Sequence, residues 1–596
     1  LGPFRTLRPY FHANRWRLLA GLSALIVVDF LQLLIPRVIR RVVDGLAYGT
    51  ATPGLPLRAA LTILALTVGI CLMRFTWRYF ILGHARRVEE ALRNLIFRHV
   101  QALSAAEMDA RQTGDLMAHA TNDVEAVRMA AGMGIVALVD GIVLGAAAIG
   151  FMLYINVTLT LIAAIPMPAV AIMARFQSRE VHRRFREVQA CFSRMTERVR
   201  ESFAGIRVVK AYLAEANEAE AVRGAASDYV SRNMSLARIT SVFSPLITLF
   251  ASLVGAAVLF MGGRKVIEGT ITTGDFVAFI AYLSLLAWPM MAIGWVINLM
   301  QRGSASMERI NSILAGHPEA ATGPDPAPGQ AGSSGIEVRG LSFSYGAGQQ
   351  AALKNVSMSV PAGSQVGIVG RTGSGKSTLV ALLLRLYDPP AGTVYLSGTD
   401  LLDLPLATLR GQIAYVPQDT FLFSDTIREN IAFARPGASL KEIEDAARLA
   451  EVHAEMAALP HGYDSVLGEK GITLSGGQRQ RVVLARALLA GAQVLLLDDA
   501  LSAVDTDTEL RILDNLRRLA AEQNRTVIMV SHRLAAVMDA SRIYVLEDGR
   551  VAEEGTHQEL LQRRGLYADV WSRQQLEAEI DREANHAGAE VELTTT

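Results

Sequence analysis

Gly370-Arg371-Thr372-Gly373-Ser374-Gly375-Lys376-Ser377 decides the reading of this chain. It follows an apolar run, Gln365-Val366-Gly367-Ile368-Val369, with the character of a buried strand. It opens into Thr378-Leu379-Val380-Ala381-Leu382-Leu383-Leu384, which predicts a helix. In that context the glycine-rich string is a P-loop. Its glycines let the backbone wrap around phosphate oxygens, so that amide N–H groups and a helix N-terminus face the anion. Lys376 can reach the outer phosphates, and the Ser377 hydroxyl is placed for Mg²⁺. The expected ligand is a nucleoside triphosphate, with Thr378 next to the loop.

The chain has 596 residues, 51% of them hydrophobic, and a formal net charge of +1. That balance marks no nucleic-acid binder. Cys71 and Cys191 lack metal-ligand spacing and imply neither a disulfide framework nor a zinc site. No cleavable signal peptide is expected, because the first apolar run is long and basic-flanked and more such runs follow.

Six stretches in the first half reach the ~20 apolar residues that a bilayer-crossing helix needs. They are approximately 18–43, 58–82, 133–155, 157–176, 243–263 and 276–300. A basic, aromatic N-terminus (Arg5, Arg8, Tyr10, Phe11, Arg15, Trp16, Arg17) precedes them and predicts a short helix on the inner membrane surface. The connections 84–131 and 177–242 are rich in arginine, among them Arg86, Arg87, Arg93, Arg98, Arg183, Arg184, Arg186 and Arg200. Those near 44–57 and at 155–157 carry no Lys or Arg; Arg264 and Lys265 are the outer-side exception. The bias puts the N-terminus and both long connections in the cytoplasm, with the spans continuing beyond the bilayer as long helices. Composition, together with the family that the chain's later motifs resemble, implies the inner (plasma) membrane of a bacterium as the expected setting.

Proline and glycine then crowd residues 316–335, a linker that ends the membrane domain, 1–315. From 336 to 573 short β-rich runs alternate with helices, which predicts an α/β nucleotide domain. Residues 574–596 form a tail. The expected fold class is thus a multi-domain membrane protein, an all-α six-helix transmembrane domain followed by an α/β P-loop domain.

Val494-Leu495-Leu496-Leu497-Asp498 is an apolar strand ending in the carboxylate that a P-loop site uses for Mg²⁺. Before it stands Leu474-Ser475-Gly476-Gly477-Gln478, then Arg479-Gln480-Arg481. With this string the chain resembles an ATP-binding-cassette protein, whose signature is LSGGQ. The resemblance implies that Tyr345 stacks on adenine. It implies that Gln418, in Val416-Pro417-Gln418, senses Mg²⁺ beside Ser377 and Asp498. Ser502-Ala503-Val504-Asp505 matches the D-loop, and His532 in Val530-Ser531-His532 matches the switch histidine near the γ-phosphate. Two such domains stack head to tail in the family, each ATP lying between one domain's P-loop and the other's signature. Ser475, Gly476, Gly477, Gln478 and Asp505 are then contributed across that interface.

Six spans ahead of the cassette resemble half-size exporters of the multidrug and lipid type. Glu201–Tyr212 and Thr113–Val124 match the family's cytoplasmic connections, and Val466–Gly471 its X-loop. One departure matters. The residue after the Asp498 carboxylate is usually the glutamate that orients or deprotonates the attacking water, and here it is Asp499. Similar sequences with Asp at this place form the slow half of asymmetric heterodimers. The expectation is a heterodimeric exporter half for amphipathic or hydrophobic compounds. The alternatives are a homodimeric lipid flippase and an ATP-binding regulatory subunit. At membrane depth, Asp29 and Asp140 suit either a cationic substrate or an interhelical hydrogen bond, and Trp288, Met290, Met291 and Trp295 suit adaptable apolar binding.

Overall fold

The structure is a computed structural model that describes residues 2–319, 335–346, 350–468 and 474–576. Most of the linker, the latter half of the Val466–Gly471 loop and the tail beyond 576 lie outside the described residues. The chain divides into a unit of Leu1–Gln101 with Gln112–Gly316, and a unit of Ala102–Arg111 with His317–Thr596.

The first unit is helical. Its long elements are α1 (Arg15–Ala47), α2 (Leu55–Ala102), α3 (Ile135–Ile155), α4 (Val157–Ala164), α5 (Pro166–Ala204), α6 (Glu215–Ile267), α7 (Thr273–Leu285) and α8 (Ala287–Leu314). Helical runs Arg15–Ala47, Leu55–Ala102, Thr113–Ile155 and Thr273–Leu314 are long and apolar enough to cross a membrane. The expected span 243–263 lies within the 53-residue α6. The expected span 157–176 is divided between α4 and α5, because Pro166 brings no backbone N–H and starts a new helix at its first position. At 48 residues α2 is ~70 Å long, over twice a hydrocarbon core. The spans therefore do run on into long polar helices.

Leu57, Leu61, Leu64, Val68, Leu72, Phe75 and Tyr79 recur every three or four residues along α2 and are 52–71% exposed. An apolar stripe this long, turned away from the core, belongs against lipid tails. The buried side of α2, Ile70, Trp77 and Ile81, packs with Ala24, Leu25 and Val28 of α1, while α1, α3, α4 and α7 close a core of Leu33, Leu144, Ala148, Met152, Leu159, Phe279 and Tyr282. Tyr282 is buried there, its ring stacked on Phe151 at 5.3 Å and its hydroxyl donating to the Leu33 carbonyl at 2.9 Å. A second cluster joins Leu7 to Val88, Leu92, Val124, Val127, Met307 and Ile310, with Phe4, Tyr10 and Phe11 packed on it. The N-terminal aromatics other than Trp16 thus turn inward on to helix extensions, and Trp16 stays 72% exposed.

The C-terminal unit is α/β. Its strands are β1 (Ile336–Phe343), β2 (Leu353–Val360), β3 (Gln365–Gly370), β4 (Val394–Leu396), β5 (Thr399–Asp400), β6 (Ile413–Val416), β7 (Val494–Asp498), β8 (Thr526–Ser531), β9 (Arg542–Glu547) and β10 (Arg550–Gly555). An antiparallel sheet runs β2-β1-β4-β5, and a six-stranded sheet runs β10-β9-β3-β8-β7-β6. In the larger sheet β9, β3, β8, β7 and β6 are parallel, with Val369 opposite Ser531 and Asp498 opposite Val530. Strands buried on both faces read as continuous apolar runs, as Val494–Leu497 and Val527–Val530 do. Three helices matter to the site: α9 (Lys376–Leu383), α10 (Gly476–Ala490) and α11 (Thr506–Gln523).

A short helix, Ala105–Asp109, groups with this unit. The Tyr387 hydroxyl donates to Asp109 at 2.5 Å, the Glu319 amide donates to the Ala102 carbonyl at 2.6 Å, and Arg410 pairs with Glu319 at 2.5 Å. Removing the buried hydroxyl alone, in Tyr282→Phe, is expected to cost about 1 kcal/mol. Tyr282→Leu, which also loses the Phe151 stack, is expected to cost more. Unfolding midpoints of the two variants in the same lipid, compared with the native chain, check the order.

Candidate nucleotide site

The site begins where β3 ends. The backbone reverses through Gly373 and Gly375 into α9, and Gly375 adopts φ +101. A Cβ there would stand 2.8 Å from the Ala352 carbonyl oxygen, so the bend needs both the left-handed conformation and the missing side chain. Ser374 is buried inside the loop. The Lys376 ammonium donates to the carbonyls of Gly370 at 2.7 Å and Arg371 at 2.9 Å, which holds it at the mouth of the loop. Burial draws this ammonium below its ordinary value, and the nearby Asp499 and Asp498 carboxylates oppose that shift.

Strands β7 and β8 deliver the facing groups. Asp498 ends β7 and is 5% exposed. Burial first, and the Asp499 charge second, push its carboxyl up to about 6, against the pull of Lys376. Asp499 takes φ +52, and its amide donates to the Val530 carbonyl at 2.8 Å. That turn aims its carboxylate at His532, whose Nδ1 lies 2.6 Å from Oδ2 and 2.8 Å from Oδ1. The His532 backbone is held from behind, since Gln574 donates to its carbonyl at 2.7 Å and accepts from the Leu534 amide at 3.0 Å.

Thr372, Gly373, Gly375, Lys376, Ser377, Thr378, Gln418, Asp498, Asp499 and His532 line one open cavity of about 410 Å³. Tyr345 stands at its flank, donating to the Thr378 hydroxyl at 3.0 Å and meeting Tyr387 edge-on at 5.0 Å. The Ser377 hydroxyl, the Gln418 amide and the Asp498 carboxylate share the cavity wall. Among the described residues no group of three or more His, Cys, Asp or Glu could hold a metal by itself. That donor set fits Mg²⁺, which keeps one or two carboxylates and completes its shell with phosphate and water oxygens.

The other expected residues lie elsewhere. Ser475 caps α10, accepting from the Gln478 amide at 3.2 Å, while the Gln478 side chain accepts from the Ser475 amide at 2.9 Å. Gly476 opens the helix, and a Cβ on Gly477 would stand 2.7 Å from the Ala503 carbonyl oxygen. Asp505 caps α11 through the Thr508 amide at 2.9 Å. Ser475, Gly476, Gly477, Gln478 and Asp505 are not in the cavity wall. Gly476 and Gly477 pack against Ala503 and Val504, and both helix N-termini carry side-chain caps, from Ser475 and Asp505.

Several supporting residues carry no motif. Gln480 ties α10 to the D-loop: its amide donates to the Ser502 hydroxyl at 2.9 Å and accepts from the Ala503 amide at 2.9 Å. Glu455 receives Gln478 and Arg481, both at 2.7 Å. Nothing in the sequence marks either residue, because both contacts depend on how α10 packs against its neighbours.

A P-loop cavity on a parallel sheet, in a chain that also carries a unit of membrane-length helices, defines a membrane-bound nucleotide-driven machine. Comparison with known proteins names the kind. The model for the ABC transporter transmembrane region matches residues 18–290, and the ABC transporter model matches residues 353–502. The multidrug resistance-like ATP-binding protein MdlA of Escherichia coli is 40% identical over 97% of this chain and 98% of its own length. The probable multidrug resistance ABC transporter ATP-binding/permease protein YheI of Bacillus subtilis is 37% identical over 95% of this chain and 97% of its own. A bacterial Atm1-family ABC exporter, solved with ATP bound, superposes with a TM-score of 0.74 at 29% identity, over 95% of this chain and 98% of that one. The chain belongs to the ABC transporter family, as an exporter that joins a transmembrane region to an ATPase domain. It is a bacterial inner-membrane, multi-pass protein, and it couples ATP hydrolysis to transport.

Gln480→Ala removes both bonds that hold the D-loop to α10. Turnover of the assembled transporter is expected to fall about tenfold, while ATP affinity at the chain's own P-loop, read by equilibrium binding, stays within twofold.

Proposed function

We propose that this chain is one half of a dimeric exporter that moves hydrophobic or amphipathic compounds, such as drugs, lipids or peptides, outward by alternating access, and that its own ATP site is the slow one of a heterodimeric pair. In this reading Lys376, the amides from Gly370 to Gly375, and Arg371, Thr372 and Ser374 around them bind the phosphates, with Thr378 and Tyr345 beside the base. Ser377, Asp498 and Gln418 would hold Mg²⁺, which neutralises charge on the transferred phosphoryl group when bound. Ser475, Gly476, Gly477, Gln478 and Asp505 complete the site of the partner subunit. Closure of the pair is favoured while ATP bridges both domains and loses that bias on hydrolysis.

The observation that carries the asymmetry is the pairing of Asp499 with His532. Aspartate is one methylene shorter than the glutamate expected there, and both of its oxygens lie within 2.8 Å of the imidazole Nδ1. A carboxylate set back by about 1 Å and engaged in this way is poorly placed for an attacking water, and misplacement on that scale costs ~10²-fold in rate. The same pair supports a second reading, a homodimer in which Asp499 and His532 together position the water.

Asp499→Glu separates the two. The heterodimer reading expects the variant to raise steady-state ATPase turnover of the assembled transporter tenfold or more. Unchanged or lower turnover, with ATP binding intact, contradicts it and favours the homodimer.

A further inference from the structure

Four helices of the membrane unit bring together a polar group that nothing in the nucleotide chemistry uses. Asp29 of α1 has 0% of its surface exposed, at a depth where an unpaired charge is costly. Among the described residues neither of its carboxyl oxygens has a hydrogen-bond donor. The polar group within hydrogen-bonding reach of it is the carboxyl of Asp140 from α3, an acceptor like itself. Asp140 is anchored in turn by the indole of Trp288 from α8, which donates to Oδ2 at 2.7 Å. Trp288 is half exposed, so the outer edge of the group is reachable while Asp29 closes its inner end. Arg74 of α2 acts on Asp29 through its charge from farther away. Among the described residues those are the charged groups that act on Asp29, and neither α7 nor α8 adds another.

The charge count is informative. Two carboxylates and one guanidinium leave a net charge of −1 in an environment that does not tolerate it. Two carboxyls in contact cannot both ionise without a positive charge between or beside them. The deficit is one unit, which fits a monovalent cation and not a divalent one. An indole whose N–H points at a carboxylate also offers an aromatic surface, and tryptophan is the best of the aromatic faces for an organic cation.

We propose that Asp29, Asp140 and Trp288 form a cation subsite in the transport pathway, which holds one proton between the two carboxyls at rest and exchanges it for a monovalent, lipophilic organic cation. Loading breaks the carboxyl O–H and releases that proton to water, while the cation takes over its charge, so the site stays neutral overall. Asp140 and the Trp288 ring meet the cation first, and Asp29 supplies the second carboxylate. This rests on the reading of the chain as an exporter half and names the substrate class that the half would accept.

Linkage provides the test. If one proton leaves for each cation bound, affinity must tighten about tenfold for every unit rise in pH across the range in which the pair holds its proton. Tetraphenylphosphonium binding to the assembled transporter in lipid nanodiscs, at pH 6, 7 and 8, is expected to show that slope. Asp29→Asn and Asp140→Asn are expected to abolish the slope and weaken binding at pH 8 tenfold or more. Triphenylphosphine oxide, a neutral analogue, is expected to bind without pH dependence. A dissociation constant for tetraphenylphosphonium that ignores pH in the native protein overturns the proposal, and so do variants that keep native affinity. The native slope decides the matter even where a variant fails to fold. ATP-dependent uptake of a neutral dye into inverted vesicles keeps the two readings apart. Neutral-dye uptake together with a tetraphenylphosphonium affinity that ignores pH removes the cation subsite alone, and absence of any ATP-dependent uptake removes the exporter reading itself.

Discussion

The parallel register of β3, β8 and β7 is the constraint on which the nucleotide site depends. Because Val369 pairs with Ser531 and Asp498 with Val530, the carboxyl ends of three strands finish at one level. The P-loop, the Asp498–Asp499 carboxylates and His532 leave the sheet at that level and meet over one cavity. A one-residue slip of β7 against β8 would turn Asp498 to the opposite face, as the twofold period of a strand requires. The continuous burial of β7 and β8 on both faces is what resists such a slip. Ligand sites at the carboxyl ends of parallel strands follow from the same geometry.

The surface presented by α10 and α11 follows a different logic. Ser475 and Asp505 satisfy helix N-termini with their own side chains, and Gln480 locks the two ends together. That surface is preorganised, yet it contributes nothing to the chain's own cavity. A signature held rigid without a ligand of its own is what a second nucleotide domain would require, since flexible groups would have to be ordered at the moment of binding. The same unit incorporates Ala105–Asp109, whose Asp109 accepts from Tyr387, and Tyr387 meets Tyr345 edge-on at 5.0 Å. A run of contacts therefore connects the aromatic beside the P-loop to a segment cut from the middle of the membrane unit's sequence.

Much of this was legible in the sequence because it depends on short-range order. The string from Gly370 to Ser377 carries its own backbone requirements, and the strand and helix flanking it read directly from apolar runs. The long helices of the membrane unit read from hydropathy, although the break at Pro166 marks where a single expected span becomes two helices. What the sequence concealed are contacts between residues distant in the chain. Asp499 and His532 are visible as separate motif residues, but their bonding depends on strand register and on the φ of +52 at Asp499. Asp29 and Asp140 could be recognised as costly, and only helix packing shows that they face each other, with no donor to Asp29 among the described residues. Gln480, Glu455 and Gln574 had no signal at all, because ordinary polar residues acquire roles only through their tertiary partners.

Asymmetry between two ATP sites is the central claim, and it concerns what this chain lacks when alone. The most direct measurement is steady-state ATPase turnover of the chain purified by itself in lipid, before and after addition of a partner subunit that carries glutamate after its own strand-ending aspartate. The account predicts negligible turnover alone and restoration on addition of the partner. Robust turnover by the chain alone, unchanged by any partner, would contradict it.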